Sequence, residues 1–567
     1  MKLIKKEYIV LFILAIFCLV FYFLFLGHYK LIDVDEPRYA EAAREMLESG
    51  NWLTPYFNYE LRFDKPIFIY WLIALSYKLF GITEFAARFP SAVASALLVF
   101  STYFFGRQTV SKSFGFISAL ILASSVEFIV LGRMSITDMT LAFFICATIF
   151  AGFLADFSHK KEKSKSFWDK YCDVIYWNFA YLFSGAAVLT KGPIGFILPA
   201  IIFAISFLLT GSLKRNLKLK YIIPGLFIFS AVTVPWYYLI IKEHGMNFVN
   251  YFFLKHNLTR FGGGSLGHEQ PFYFYPLVIF LGTFPWMFYF MSALIKYTFQ
   301  IADKFKNLKL NNISIFKDAD NNLKVILYSC CWFFTVLFVF SASSAKLLTY
   351  ILPLFPAFAL LTGKIWQDYI ENDIQEKAFK YASIFTVSLC FLIAIGLIAA
   401  YIIIKSGDQT FGLNFQSLAI PLLIISSMVL FIFSRHEKIK SFYTLPVMMG
   451  GVIILVITAV MPVIYNSAQA DLIKYINLSK NYNSGDNEFI TLGIKKPSLV
   501  FYFQKRVVYV DINDTEIINK YLQSEKPVFI VTKKKYLSDL SEKLKYNLIS
   551  TGKRYSLISN IDKLKER

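Results

Sequence analysis

Residues 8–47 read YIVLFILAIFCLVFYFLFLGHYKLIDVDEPRYAEAAREML, and this stretch decides the fold. Its first part, Tyr8 to Leu26, is an unbroken apolar run of about 19 residues, close to the ~20 that cross a bilayer. Lys2, Lys5 and Lys6 precede it, but no small-residue cleavage site follows. It therefore reads as an uncleaved first span, not a signal peptide. The second part turns at once to acids, Asp33, Asp35 and Glu36, ahead of Pro37. Tyr39, Ala42, Ala43, Met46 and Leu47 then share one helical face.

The composition of the whole chain agrees with a membrane reading. Of 567 residues, 56% are apolar and 17% charged, against about 45–50% and about 25% in soluble domains. The mean hydropathy is +0.53. These values exclude a soluble globular enzyme, a disordered tail and a collagen-like repeat. The net charge of +20 fits positive-inside loops and anionic membrane lipids, and no nucleic acid is expected. The six cysteines form no CxxC pair and no disulfide framework.

Further apolar runs near 86–106, 113–131, 137–157, 174–190, 193–210, 221–241, 272–297, 324–343, 347–363, 379–404, 413–434 and 441–463 bring the expected spans to about thirteen. The run 66–80 is too short and reads as an interfacial or re-entrant helix. With the N-terminus cytoplasmic, the inside loops are the richer in Lys and Arg. The odd count then puts the C-terminus in the periplasm. Two long loops, 28–85 and 242–271, fall on that outer side and are the functional candidates.

The expected fold class is thus membrane all-α, with residues 1–466 as the transmembrane part. Residues 467–567 are polar and read as a small α/β periplasmic domain. Strands are expected at Glu488–Leu492, Ser498–Phe503, Val507–Val510 and Val528–Thr532, with helices at Asp514–Gln523 and Leu537–Lys545.

The candidate chemistry gathers on the outer side. Asp35 is either a helix cap or a catalytic carboxylate beside Glu36, Arg38 and Tyr39. Lys65 follows Asp64, either snorkelling or binding phosphate. Arg133 and Asp138 flank a short outer turn. Lys191 lies at a second turn, where few cations belong, which suggests an anionic ligand. Lys346 and Tyr350 are four apart and share a helical face. Arg38, Lys65, Lys191, Arg260 and Lys346 make an outward cationic cluster among Asp35, Asp64 and Asp138. Cations for phosphate and acids for catalysis suit a polyprenyl-phosphate-sugar donor. His256, His268 and Glu269 could join Asp64 on a divalent metal, zinc or magnesium, with Asp64 and His256 the candidate pair, though the spacing is not diagnostic. Residues 262–267 formally match GxGxxG, but no strand precedes them, so they read as a loop.

Several of these motifs together carry a family resemblance. They are Asp35-Glu36-x-Arg38-Tyr39-Ala40-Glu41, Phe63-Asp64-Lys65-Pro66, Leu189-Thr190-Lys191-Gly192, His256 with Arg260-Phe261, His268-x-x-Pro271-Phe272-x-x-Tyr275, and Lys346-Leu347-x-Thr349-Tyr350-Ile351-Leu352-Pro353. The chain resembles the membrane glycosyltransferases of the GT-C fold over about residues 8–365. The nearest branch is the bacterial aminoarabinose transferases of lipid A; the protein O-mannosyltransferases are more distant. The resemblance implies an inner-membrane enzyme with an undecaprenyl-phosphate-linked sugar donor, a lipid A acceptor and a monomeric state. It implies Asp35 as the central acid and Asp138 as a second. Lys65, Arg260 and Tyr350 would lie near the donor phosphate, with Arg38, Lys191 and Lys346 around them. Glu36, Tyr39 and Arg133 would contact substrate. The family carries Glu where this chain has Asp64, which weakens the metal expectation. Transfer to protein hydroxyls or another glycan stays open, as does a non-enzymatic transporter of lipid-linked sugar. Against the transporter, the charges gather in outer loops and no internal repeat is found.

Overall fold

A lipid interior offers backbone amides no partner, so long apolar segments must satisfy themselves as helices. The computed structural model describes residues 6–158, 167–259, 270–306, 315–372, 376–405, 413–482 and 487–561. Among these, eight helices are long and apolar enough to cross a membrane, or ten if two bent pairs each count as one. The shorter apolar helices Glu7–Phe23, Ile194–Leu209 and Ile420–Phe433 occupy the remaining positions of the expected thirteen. Phe68–Phe80 has 13 residues. At about 1.5 Å per residue it is too short for a span.

The bent pairs have identifiable causes. Lys112–Ala123 and Val126–Gly132 meet at 67°. Between them Ser124 Oγ and Ser125 Oγ donate to the Leu120 and Ile121 carbonyls at 2.6 and 2.7 Å, competing with the helical ladder. Phe274–Gly282 and Met287–Lys304 meet at 120° around Pro285, which has no amide hydrogen to continue a helix. The Val126 amide donates to the Phe284 carbonyl at 3.1 Å, so the two breaks touch.

The described residues divide into two units. The first comprises Met1–Leu26, Phe63–Ile69 and Arg88–Leu455 and is helical. Helices Glu84–Thr109 and Lys112–Ala123 approach closely where Gly106 and Gly115 face each other; a Cβ on Gly115 would stand 2.7 Å from the Arg107 amide nitrogen. Fully buried Asp156 accepts from Arg215 (2.5 Å), Asn216 (2.7 Å) and Tyr328 (2.6 Å) and pairs with Lys324. One carboxylate thus ties three helices, and its lone pairs are satisfied, as burial of a charge demands.

The second unit comprises Gly27–Arg62, Tyr70–Ala87 and Val456–Arg567. It holds a two-stranded hairpin, β1 (Tyr56–Phe57) and β2 (Glu60–Leu61), and a five-stranded sheet. The sheet strands are β3 (Glu488–Leu492), β4 (Val507–Val510), β5 (Val528–Lys533), β6 (Asn547–Thr551) and β7 (Tyr555–Ser559). Their order is β4-β3-β5-β7-β6. β3 runs parallel to β4 and β5, and β7 antiparallel to β5 and β6. Buried side chains cover both faces of this sheet.

The sequence reading is corrected at Ser498–Phe503, which is helix Pro497–Phe503 and not a strand. Pro497 presets the first turn, and Leu499, Val500 and Phe503 pack into the sheet's core. Strands β6 and β7 lie beyond the strands expected.

Candidate functional site

Each unit holds one part of the expected site. In the first unit, helix Thr137–Ser158 opens with Asp138, and helix Phe167–Lys191 ends on Lys191. Gly192 then turns the chain with φ of +89°, a conformation that suits glycine. Lys191 pairs with Asp138, both side chains about one-seventh exposed. The Lys191 ammonium also lies over the Tyr350 ring, 4.4 Å from its centroid. Tyr350 rides on the 3₁₀ segment Leu348–Leu354, whose Thr349 hydroxyl also bonds Asp138. Lys65 stands within electrostatic reach of the same carboxylate, and its Nζ donates to the Asp64 carbonyl at 3.0 Å. Two cations and one phenol ring thus surround a single acid.

The arrangement is partly desolvated, which strengthens the electrostatic interactions within it. Lys191 is internally neutralised by Asp138, and Lys65 brings a second cation beside them. Buried Lys346 donates to the Gln270 carbonyl at 3.2 Å. The Tyr275 hydroxyl donates to the neighbouring Leu347 carbonyl, also at 3.2 Å.

Arg133 takes a structural task instead of the expected substrate contact. It is buried and donates to the Phe21 and Leu24 carbonyls at 2.9 and 2.7 Å. It thereby caps the end of the first apolar helix, whose last carbonyls have no intrahelical partner.

In the second unit, Asp35 begins helix Asp35–Ser49. The helix has no side-chain cap, so the capping alternative for Asp35 falls away. Its side chain is 64% exposed, with Arg38 at 3.9 Å. An exposed carboxylate at the start of a helix is accessible to a ligand. Glu36 differs from the expectation of substrate contact. It is 1% exposed and accepts the Ile32 amide at 2.9 Å. Tyr39 is likewise buried, packed on Tyr70 and under the Arg62 guanidinium. Asp33 accepts from the Ser498 amide and hydroxyl and from Gln469, at 2.6 to 2.9 Å. It fastens the acidic loop to the C-terminal part of this unit.

The same helix holds a buried polar network that its apolar face did not signal. Arg44 donates to Glu41 at 2.8 and 2.9 Å and to Glu48. Glu45 accepts the Tyr59 amide at 3.0 Å. Burial, with Glu41 beside it, pushes the Glu45 carboxyl up to about 8.

Arg260, His268, Glu269 and the His256 side chain lie outside the described residues. Asp64 is described, and among the described residues no three His, Cys, Asp or Glu side chains gather as a metal would need.

Thr349 stands in the motif Lys346–Pro353, but its bond to Asp138 was not expected; Glu127 was not singled out. Glu127 did carry a signal, as a lone acid within the apolar run 113–131.

Residues 64–239 match the family described as dolichyl-phosphate-mannose-protein mannosyltransferase. A functionally unnamed protein of Aquifex aeolicus is 30% identical over 75% of this chain and 74% of its own length. The undecaprenyl phosphate-alpha-4-amino-4-deoxy-L-arabinose arabinosyl transferase of Shewanella sediminis is 28% identical over 69% of this chain and 65% of its own length. The crystal structure of ArnT from Cupriavidus metallidurans bound to undecaprenyl phosphate superposes with a TM-score of 0.76, at 20% identity over 98% of both chains. The Archaeoglobus fulgidus oligosaccharyltransferase AglB gives a TM-score of 0.51 over 94% of this chain and 70% of its own, at 11% identity.

Proposed function

From the premise that this chain belongs to the GT-C membrane glycosyltransferases, enzymes that use polyprenyl-phosphate-linked sugars, we propose a specific transfer. The chain moves an aminosugar, such as 4-amino-4-deoxy-L-arabinose, from undecaprenyl phosphate to lipid A. The reaction takes place on the periplasmic face of a bacterial inner membrane. The N-terminus is cytoplasmic and the C-terminal α/β part periplasmic.

The observation that carries this reading is the grouping of Lys65, Lys191 and Tyr350 about Asp138. It suits a leaving group that departs as a phosphate anion. The bond from the sugar's anomeric carbon to the donor phosphate oxygen breaks, and that oxygen keeps the electron pair. Lys65, oriented by its bond to the Asp64 carbonyl, stabilises the charge as it develops. Lys191 fixes Asp138, and Tyr350 packs against Lys191 to hold the pair in place.

A phosphate of lipid A is already anionic, so its oxygen attacks without losing a proton. Asp35 then orients the acceptor or offsets positive charge on the sugar ring. A hydroxyl acceptor on protein or glycan needs a base, and Asp35 is the acid exposed enough to take that proton. The mannosyltransferase family match favours this second reading of the acceptor. Asp64 and His256 remain a candidate pair for zinc or magnesium, and elemental analysis of the purified protein decides it.

The test is mass spectrometry of lipid A from cells with and without the chain, beside an Asp35→Asn control. An added sugar mass that needs both the protein and Asp35 is the expected result. Unchanged lipid A, with the protein expressed and donor lipid present, removes lipid A as acceptor and leaves the hydroxyl reading.

A further inference from the structure

The C-terminal sheet carries a basic cleft that the transfer as written does not use. The cleft has a volume of about 520 Å³ and is lined by Lys533, Lys534, Lys535, Lys553, Arg554 and Tyr555. Five of these six side chains are cations and none is an acid, so nothing in the lining neutralises them. Among the described residues no ion pair engages Lys533, Lys534, Lys535 or Arg554.

The topology of the sheet explains why these residues meet. β3 connects to β4 through helix Pro497–Phe503, whose Leu499, Val500 and Phe503 pack on one face. β4 connects to β5 through helix Thr515–Leu522, whose Ile518 packs on the other. β4 and β5 lie on opposite sides of β3, so the winding reverses there. In open α/β sheets, ligands bind outside the carboxyl ends of the strands at such a reversal. Lys533 ends β5 and pairs with Tyr555, which begins β7.

Backbone bonds hold both walls of the cleft. The Lys534 amide donates to the Arg554 carbonyl at 2.9 Å, tying the basic run 533–535 to the β6–β7 turn. Asp471 accepts the Arg554 amide at 3.1 Å, and its carboxyl lies against Gly552, where a Cβ would stand 2.2 Å from the carboxyl carbon. The Lys533 and Lys535 ammonium groups lie over the Tyr536 ring, 5.8 and 5.0 Å from its centroid, which orders two of the charges.

Like charges gathered in one cleft repel, and an anion between them relieves that repulsion. Lysines meet phosphate as point charges, and arginine adds a planar fork. A concave site of this size takes a discrete headgroup, whereas a flat basic face suits a membrane surface. The acceptor proposed above, lipid A, presents phosphates on a diglucosamine headgroup.

We propose that the cleft lined by Lys533, Lys534, Lys535, Lys553 and Arg554 is a docking site for a phosphorylated saccharide headgroup, and that it captures the acceptor by its phosphate. This rests on the reading of lipid A as acceptor.

The test is calorimetric titration of the purified full chain in phosphatidylcholine nanodiscs, without donor lipid. The probes are bisphosphorylated diglucosamine, plain diglucosamine and inorganic phosphate. The bisphosphorylated probe is expected to bind at least about tenfold tighter than either of the others, the scale of one charge-assisted hydrogen bond. Lys534→Glu with Arg554→Glu, both at exposed positions, is expected to weaken that binding at least about tenfold. Lys534→Gln with Arg554→Gln is expected to weaken it less, and stands in if the charge-reversed chain does not fold. Lys520→Glu with Lys545→Glu makes the same change of net charge at exposed positions outside the cleft. It is expected to leave binding within about twofold, because screening confines the effect of distant surface charges.

Unchanged binding in the cleft variants overturns the proposal, as does an equal loss in the control variant. Inorganic phosphate bound as tightly as the headgroup leaves a free-phosphate site and overturns the headgroup. Displacement of the headgroup by phosphatidylglycerol vesicles at equal phosphate concentration overturns it in favour of a membrane contact. Because no donor is present, the titration stands apart from transfer. A chain that modifies lipid A in cells but binds no headgroup overturns this inference alone. Lipid A left unmodified overturns the acceptor reading, and with it the acceptor as occupant of the cleft.

Discussion

Asp138 and Lys191 form a pair in which each charge depends on the other. Removing one partner of a buried pair leaves an uncompensated charge and costs about 3–5 kcal/mol. Lys191→Met should therefore lower the melting temperature and the activity together. Adding Asp138→Asn should recover part of the melting temperature and none of the activity. A Lys191→Met chain with unchanged thermal stability would count against the pair. Glu45 behaves differently. Its carboxyl is raised to about 8 by burial and by Glu41, against about 4.3 unfolded. The folded chain holds that proton more tightly, so the Glu45 contribution to stability is highest at low pH. It falls as pH rises from about 4.3 towards 8, by up to about 1.4 kcal/mol per pH unit. Glu45→Gln should flatten that slope; thermal melts across pH 5 to 8.5 that keep the wild-type slope would disprove it.

At the scale of elements, close approach of helices is the sensitive feature. A side chain on Gly115 meets the Tyr103 carbonyl and the Arg107 amide, both backbone and unable to move aside. Gly115→Val should sharply reduce the yield of folded protein, read as monodisperse material by size exclusion. Gly396, where a Cβ would meet nothing within 4 Å, should tolerate alanine. What the sequence disclosed at this scale follows from physics. Apolar length is local, so the spans and the short Phe68–Phe80 helix were legible. Val500 and Phe503 look like strand residues, yet Pro497 and the sheet beneath make Pro497–Phe503 a helix. The amphipathic face of Asp35–Ser49 was legible, whereas the burial of Glu41, Arg44 and Glu45 on the same helix was not. Long-range partners decide such burial, and Glu45 answers to Tyr59, 14 residues on.

At the scale of the molecule, the candidate site residues were partly legible because polar groups are rare in such a chain and each stands out. The meeting of Asp138 with Lys191 and Tyr350 was expected only as a general cluster, since three separate segments supply it. Long-range polar ties join the segments of the second unit, among them the Leu31 amide donating to the Tyr502 hydroxyl at 2.8 Å. Asp33 bonds Ser498 and Gln469, and Asn58 exchanges two hydrogen bonds with Val507, both 2.8 Å. Asp33→Ala should loosen the C-terminal sheet, with limited proteolysis cutting within 456–567 sooner than in the wild type. Equal cleavage rates would show that the Asp33 bonds do not hold it.

Those same ties fix an order of events. Asn58 and Val507 are 449 residues apart, and Asp33 and Ser498 are 465 apart. A ribosome adding about 5–20 residues per second takes roughly 20 to 90 seconds to cover that distance. Through that interval the segment bearing Asp35 is already made while its fasteners do not exist. A prematurely terminated chain can thus insert most of its helices and still never complete the acid-bearing loop. Quality control that recognises the unfinished loop would have that interval in which to act.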